Sequence, residues 1–144
     1  MTEIKLKNYT LTTAPDDIFI IPEPNAYYCS NYRTSKGFDY IHKIVMLTRK
    51  RPEAINILKE YLEVYPAKIN CQNDEGWTPL HISCRNSRTS STEETVALLL
   101  GHSGININIQ DYCGKTALHY ACQHSNTNVV RKFLEYSNML NVEN

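Results

Sequence analysis

Two short segments carry residue types that could do chemistry. His81 and Cys84 stand three positions apart, and His119 and Cys122 repeat that spacing further along the chain. An imidazole and a thiol on one helical turn can each take a metal, and two such pairs would supply the four nitrogen and sulfur ligands of a tetrahedral zinc site. The same types could serve a cysteine hydrolase, in which a His base activates the thiolate and a third group orients the base. Gly101-His102-Ser103-Gly104 has the glycines of a phosphate loop, but no strand leads into it and no Lys follows, so it reads as a turn. Arg49-Lys50-Arg51, with Lys43 and Lys59 nearby, is the basic cluster. It could contact RNA or act as a nuclear-import signal, and its bland reading is a solvated loop between helices.

Which chemistry survives depends on the elements that carry these residues, and those elements repeat. Ile69-Asn70-Cys71-Gln72-Asn73 returns as Ile107-Asn108-Ile109-Gln110-Asp111 and again as Leu140-Asn141-Val142-Glu143-Asn144. Gly76-Trp77-Thr78-Pro79-Leu80-His81-Ile82-Ser83-Cys84 aligns with Gly114-Lys115-Thr116-Ala117-Leu118-His119-Tyr120-Ala121-Cys122 at the same step as the first return. A more degenerate copy, Gly37-Phe38-Asp39-Tyr40-Ile41-His42-Lys43-Ile44-Val45, lies 39 residues before the Gly76 segment, with Asp39 in place of Thr and Tyr40 in place of Pro. All these steps fall in the range of about 20 to 50 residues that marks a repeat architecture.

Local physics gives each copy two helices. Thr78 suits an N-cap and Pro79 a first turn, where its missing N–H costs nothing. Leu80 with the small Ser83 and Cys84 falls on one face, and small residues let neighbouring helices approach. Thr95 to Leu100 follows as an outer helix facing inward through Val96, Leu99 and Leu100, with Ser91 and Glu94 as its expected capping box. The first copy supplies an outer helix from Pro52 to Leu62 with Ile55, Leu58 and Leu62 buried, and the third supplies Val129, Val130, Phe133 and Leu134. The extra length of the second copy falls in Asn86-Ser87-Arg88-Thr89-Ser90-Ser91-Thr92, which reads as a solvated inter-helix loop open to phosphorylation.

These residues resemble the ankyrin repeat, with its Gly turn, Thr-Pro-Leu-His helix start, small inner-helix residues and paired apolar residues on a second helix. The long Ser/Thr-rich loops resemble those of ankyrin proteins of giant DNA viruses, as does a composition of 14 Asn, 13 Ile and 10 Tyr, which suits an AT-rich genome. The resemblance implies an all-α repeat solenoid: three helix-turn-helix repeats with short β-turn fingers and an irregular N-terminal cap. It also explains both His/Cys pairs, His as part of the helix start that bonds the backbone of adjoining turns, Cys as a small packing residue. Neighbouring repeats stand about 10 Å apart, too far for the two pairs to converge easily, and neither metal, cofactor nor catalysis is expected.

The expected boundaries are residues 1–36 for a cap or arm, 37–75 for the degenerate repeat, 76–113 for the long-loop repeat and 114–144 for a repeat without a C-terminal cap. Within 1–36, Ile4, Leu6 and Ile18 to Ile21 beside Pro22 and Pro24 read as extended segments with a short hairpin. The alternative is a recognition arm anchored by Tyr27, Tyr28 and Tyr32 around Cys29. At the other end an apolar face, Phe133 and Leu140 included, is expected to stay open, favouring self-association. Either the chain is the N-terminal part of a longer protein, or another subunit or a local rearrangement covers that face.

Composition narrows the function. Fifteen basic residues balance fifteen acidic ones, which argues against a binder of duplex phosphates. No window offers the roughly 20 apolar residues of a membrane helix. Five scattered cysteines, an odd number, fit free thiols in a reducing, intracellular compartment, the cytoplasm of a host cell if the source is viral. The expected function is therefore a non-catalytic protein-protein interaction module, an adaptor or host-factor-binding scaffold. The alternative is nucleic-acid binding through the basic cluster and the N-terminal tyrosines. By motif position, the resemblance implies a partner surface of Asp74, Glu75, Trp77, Arg85 and Asn86 in the second copy, and Tyr112, Cys113, Lys115, Gln123 and His124 in the third. Trp77, Arg85 and Tyr112 are its expected anchors.

Overall fold

The computed structural model describes residues 3–14, 18–20, 26–28, 39–89, 91–124 and 127–142. The chain begins with four short strands, β1 (Glu3–Lys5), β2 (Thr10–Ala14), β3 (Ile18–Ile20) and β4 (Ala26–Tyr28). They pair antiparallel in the order β1-β2-β3-β4, with Ile4 opposite Leu11, Thr13 opposite Phe19 and Phe19 opposite Tyr27. The expected hairpin is thus part of a regular meander, and the N-terminal segment is not irregular where it is described. Cys29 and Tyr32 lie outside the described residues. In the β1–β2 turn, Leu6 and Tyr9 pack half-buried on the helical core. Asn8 fixes the turn by donating its backbone N–H and its side-chain amide to the two carboxylate oxygens of Glu60, at 2.8 and 2.7 Å.

Among the described residues six helices follow: α1 (Tyr40–Val45), α2 (Ala54–Val64), α3 (Pro79–Arg85), α4 (Glu93–Leu100), α5 (Ala117–Gln123) and α6 (Thr127–Val142), with a 3-10 turn at Pro66–Asn70. Each odd-numbered helix packs on the even-numbered helix after it, and α1, α3 and α5 stack in succession. Their caps explain where the inner helices start. Asp39, Thr78 and Thr116 each head a capping box completed by the His three positions on, so Asp39 does for α1 what Thr does for the other two. Leu80, Ser83 and Cys84 are buried, as expected of the inner layer, and Ile55, Leu58, Leu62, Val96, Leu99 and Leu100 are buried in the outer one. Burial of one such Leu or Ile contributes about 1.5–3 kcal/mol.

Several details depart from the sequence reading. α2 starts at Ala54, and Pro52 sits in the turn before it, its carbonyl accepting from Ile55 N–H at 3.1 Å. α4 is capped by Thr92, whose hydroxyl accepts from Thr95 N–H at 3.1 Å. Ser91 cannot cap it because its hydroxyl is committed to Thr48 in the interior, at 3.2 Å. Neither Ser87 nor Ser91 is solvated: both are fully buried, and the Ser87 hydroxyl donates to the Cys84 carbonyl at 3.1 Å. In α6, Val129 and Phe133 face the core, whereas Leu134, expected inward, is 60% exposed and takes the outward place assigned to Phe133. Leu140-Asn141-Val142, read as the opening of a further connection, continues α6. Glycine follows α4 at 101 and proline follows α2 at 66, while 127–142 contains neither and nothing stops the helix.

The basic cluster is structural at two of its three positions. Arg49 donates from Nε to the Ser91 carbonyl at 2.9 Å and from its terminal nitrogen to the Ser87 carbonyl, pinning the long loop to the preceding repeat. Arg51 pairs with Glu53. Lys43 is buried within α1.

Candidate partner-binding wall

Between the outer helix of one repeat and the inner helix of the next, the chain makes a β-turn finger, and one side chain organises each. The Asn73 side-chain oxygen Oδ1 accepts from Glu75 N–H at 3.0 Å and Trp77 N–H at 2.9 Å. A carboxylate oxygen of Asp111 likewise accepts from Cys113 N–H at 3.0 Å and Lys115 N–H at 2.8 Å. Short polar side chains fold turns in this way because they mimic a backbone acceptor. Both fingers close through a glycine at φ +81°, Gly76 and Gly114, a conformation that a Cβ penalises. At Gly76 there is a second constraint, because a Cβ would lie 2.7 Å from the Tyr112 nitrogen and 2.8 Å from its ring.

That crowding marks where the fingers stack. Tyr112 N–H donates to the Glu75 carbonyl at 3.2 Å, and the Gln72 amide bridges the carbonyls of Gly76 and Gln110, at 2.9 and 3.2 Å. Asn70 adds a second bridge, donating to the Gly104 carbonyl at 2.8 Å and accepting from Asn106 N–H at 3.0 Å.

The motif histidines hold the inner layer. In His81 the Nδ1 atom accepts from Thr78 N–H at 3.1 Å, which puts the proton on Nε2, and Nε2–H donates to the Lys115 carbonyl of the next repeat at 2.9 Å. His42 does the same from α1, with Asp39 N–H on Nδ1 at 2.9 Å and the Cys71 and Trp77 carbonyls on Nε2 at 2.9 and 3.0 Å. Burial pushes both imidazoles below the ordinary His range, keeping them neutral. Both nitrogens of His81 are therefore spoken for, and burial raises the Cys84 thiol far above its ordinary range. The His81/Cys84 pair is packing and strapping, not a ligand or nucleophile set. His119 caps α5 through Thr116 N–H at 2.9 Å, and both it and Cys122 are exposed.

The surface left over is a wall of finger tips and inner-helix ends. Asp74, Glu75, Arg85, Tyr112, Cys113, Gln123 and His124 are exposed, and Trp77, Asn86 and Lys115 are half-buried. Tyr112 is 71% exposed. Trp77 does not lie free along its turn: the Arg85 guanidinium carbon sits 4.7 Å from its ring centroid. In the third repeat, Lys115 Nζ sits 5.6 Å from the ring centroid of Tyr120. The Tyr120 hydroxyl donates to Asp111. Burial works to raise the Asp111 carboxyl, but that hydroxyl and the Lys115 and Cys113 N–H groups outweigh it and hold the carboxyl below its usual range.

A second polar cluster supports the first repeat. Asp39 accepts from the Tyr61 hydroxyl at 2.7 Å and from Lys68 at 2.9 Å. Burial pushes against its ionisation, yet these donors and the Ile41 N–H hold its carboxyl below the usual range. Burial, with the Asp39 hydrogen bond and charge, drives Tyr61 far upward. Sequence reasoning missed this cluster, the Arg49 clamp and the turn-organising pair Asn73 and Asp111. The last pair left a readable signal, an Asn or Asp three positions before the glycine in both copies.

A family model described as ankyrin repeats in three copies matches residues 44–144. A putative ankyrin repeat protein, L91, of Acanthamoeba polyphaga mimivirus is 38% identical over 88 residues, covering 58% of this chain and 14% of that protein. Among solved structures, the ankyrin repeat protein EF0377 superposes with a TM-score of 0.58 at 26% identity, over 70% of this chain and 48% of its own. A chain from the complex of the predatory endopeptidase Bd0816 of Bdellovibrio bacteriovorus with immunity protein Bd3460 gives 0.52 at 22% identity, over 69% of this chain and 46% of its own. The chain thus spans about a seventh of the mimivirus protein and about half of each structural neighbour.

Proposed function

The chain belongs to the ankyrin-repeat family, whose repeats are generally protein-protein interaction modules, and on that premise we propose that it is a non-catalytic adaptor or host-factor-binding scaffold. The partner lies across the finger-tip and inner-helix wall. One observation carries this reading: the side chains that build the stack are consumed internally, whereas the motif positions pointing away from it present Trp77, Arg85 and Tyr112 together with exposed polar residues. Trp, Tyr and Arg dominate interface energies. The mimivirus relative supports a viral context and hence the cytoplasm of a host cell as the place of action. Nucleic-acid binding finds no comparable support, since Arg49 and Arg51 of the basic cluster already serve the fold.

The test is affinity capture from the native cell type with the wild-type chain and with the variant Trp77→Ala/Arg85→Ala/Tyr112→Ala. A partner retained by the first and lost by the second, a weakening of more than about 2 kcal/mol, at unchanged helix content, is the expected result. Retention by the variant and loss on removing residues 1–36 would instead make the N-terminal strands the recognition element. The third repeat also exposes two large apolar side chains, Leu134 at 60% and Leu118 at 38%, and exposed apolar surface of this kind favours self-association. Light scattering across a wide concentration range should show mass rising with concentration, and Leu134→Glu should reduce the rise.

A further inference from the structure

Two cations on the wall are seated on aromatic rings, in successive repeats. Arg85 lies over Trp77 and Lys115 over Tyr120, at 4.7 and 5.6 Å from the ring centroids. Trp77 and Arg85 belong to the second repeat and Lys115 and Tyr120 to the third, so the wall carries a line of two ring-seated cations across two repeats. Among the described residues neither Arg85 nor Lys115 is ion-paired to a carboxylate. A ring holds a cation in place and removes water from one of its sides without neutralising it. The outward side keeps its donors, and in Arg those donors form a planar fork that matches a carboxylate.

We propose that this line is an acidic-segment clamp: the wall binds a short stretch of a partner protein whose carboxylates are held by Arg85 and Lys115. The proposal rests on the reading of the wall as the protein-binding surface and adds the chemistry of what it binds. The flanking charges set the length of the segment. Asp74 and Glu75 are exposed on the neighbouring finger tip and repel an extended polyanion. A nucleic-acid strand, with a charge at every nucleotide along its length, would run into them, whereas a stretch of about four carboxylates, two of them held by Arg85 and Lys115, would not.

Trp77 is the sole tryptophan of the chain, so its indole N–H resonance and its emission report on the clamp directly. The experiment titrates the isotope-labelled chain with acetyl-tetraglutamate amide, acetyl-tetraglutamine amide and a short oligothymidylate. Tetraglutamate should shift the Trp77 indole resonance to saturation, tetraglutamine should leave it in place, and oligothymidylate should bind more weakly than tetraglutamate. Raising salt from about 20 to about 300 mM should weaken the tetraglutamate response. Arg85→Gln and Lys115→Gln should each reduce affinity by about threefold or more, and the double variant by about tenfold or more, at unchanged helix content. Equal response to tetraglutamine, full affinity in the double variant, or tighter binding of oligothymidylate would each overturn the proposal. A partner captured through the wall while tetraglutamate fails to bind would remove the acidic chemistry and leave the protein-binding reading intact. A saturating tetraglutamate response with capture indifferent to the wall would do the reverse.

Discussion

The buried carboxylate of Asp111 accepts the hydroxyl of Tyr120, whereas in the preceding repeat the same two positions hold Asn73 and Ile82, and among the described residues the Asn73 side-chain N–H group has no hydrogen-bond partner. Both side chains organise a finger with one oxygen. They differ in the atom left over, and the helix position nine places on is polar for the carboxylate and apolar for the amide.

Tyr120→Phe should therefore destabilise the chain by about 1–2 kcal/mol, the cost of a carboxylate oxygen losing its buried donor. Adding Asp111→Asn to Tyr120→Phe sets an amide opposite an apolar side chain, as Asn73 and Ile82 do in the second repeat, so the double variant should cost less than the sum of the two singles. A double-mutant cycle by urea denaturation reads this directly. Additive losses would show that the hydroxyl and the carboxylate act independently.

Gly76→Ala and Gly114→Ala separate conformational strain from steric conflict. Both place a Cβ at φ +81°, which costs about 1–2 kcal/mol. Only at Gly76 does that Cβ meet the Tyr112 backbone and ring, and nothing lies within 4 Å of it at Gly114. Gly76→Ala should lower the melting temperature distinctly more than Gly114→Ala. Truncating Tyr112 to Ala should leave most of the excess in place, since the backbone nitrogen is the nearer obstacle.

Arg49→Ala should cost about 1.5–3 kcal/mol, the range for hydrogen bonds made by a charged donor, because it releases the carbonyls of Ser87 and Ser91. Limited proteolysis should then cut first within residues 86–92. The exposed Arg88 in the same loop provides the contrast: Arg88→Ala should change stability by less than about 0.5 kcal/mol.

Acid should destabilise the stack in two stages. His42 and His81 lie below the ordinary value of 6.5 when folded, so the unfolded chain takes up protons first. Their contribution is complete above about pH 6.5 and is lost as pH falls below it toward the folded values. Asp39 and Asp111 lie below the ordinary 3.8 when folded, so their contribution is present above that value and disappears as pH drops through the folded values. Thermal melts at stepped pH should show both declines, and His81→Gln should flatten the first.

The repeat architecture was legible because period, cap and small inner-face residues all follow from local rules. Thr78-Pro79 and Gly76 announce a turn and a helix start without tertiary information, and the core residues of α2, α3 and α4 fall at helical spacing. What the sequence concealed depends on contacts between segments. Ser91 looks like a cap, and only the approach of Thr48 shows why Thr92 serves instead. Arg49 looks like part of a solvated basic run until the long loop of the next repeat supplies its acceptors. On the wall, motif position located the exposed side chains, but the pairing of Arg85 with Trp77 and of Lys115 with Tyr120 needed the third dimension.

The histidine straps also give the stack a direction. His42 reaches forward to carbonyls at 71 and 77, and His81 reaches forward to the carbonyl at 115. The donor of each strap is set by its own helix cap, while the acceptor exists in place only when the downstream finger has formed. Opening a downstream finger leaves the upstream cap whole and turns one imidazole toward water. Opening an upstream helix destroys cap and strap together and unmoors the finger ahead of it. Local melting should therefore propagate more readily toward the C-terminus than toward the N-terminus, with order established early in the chain the order that persists.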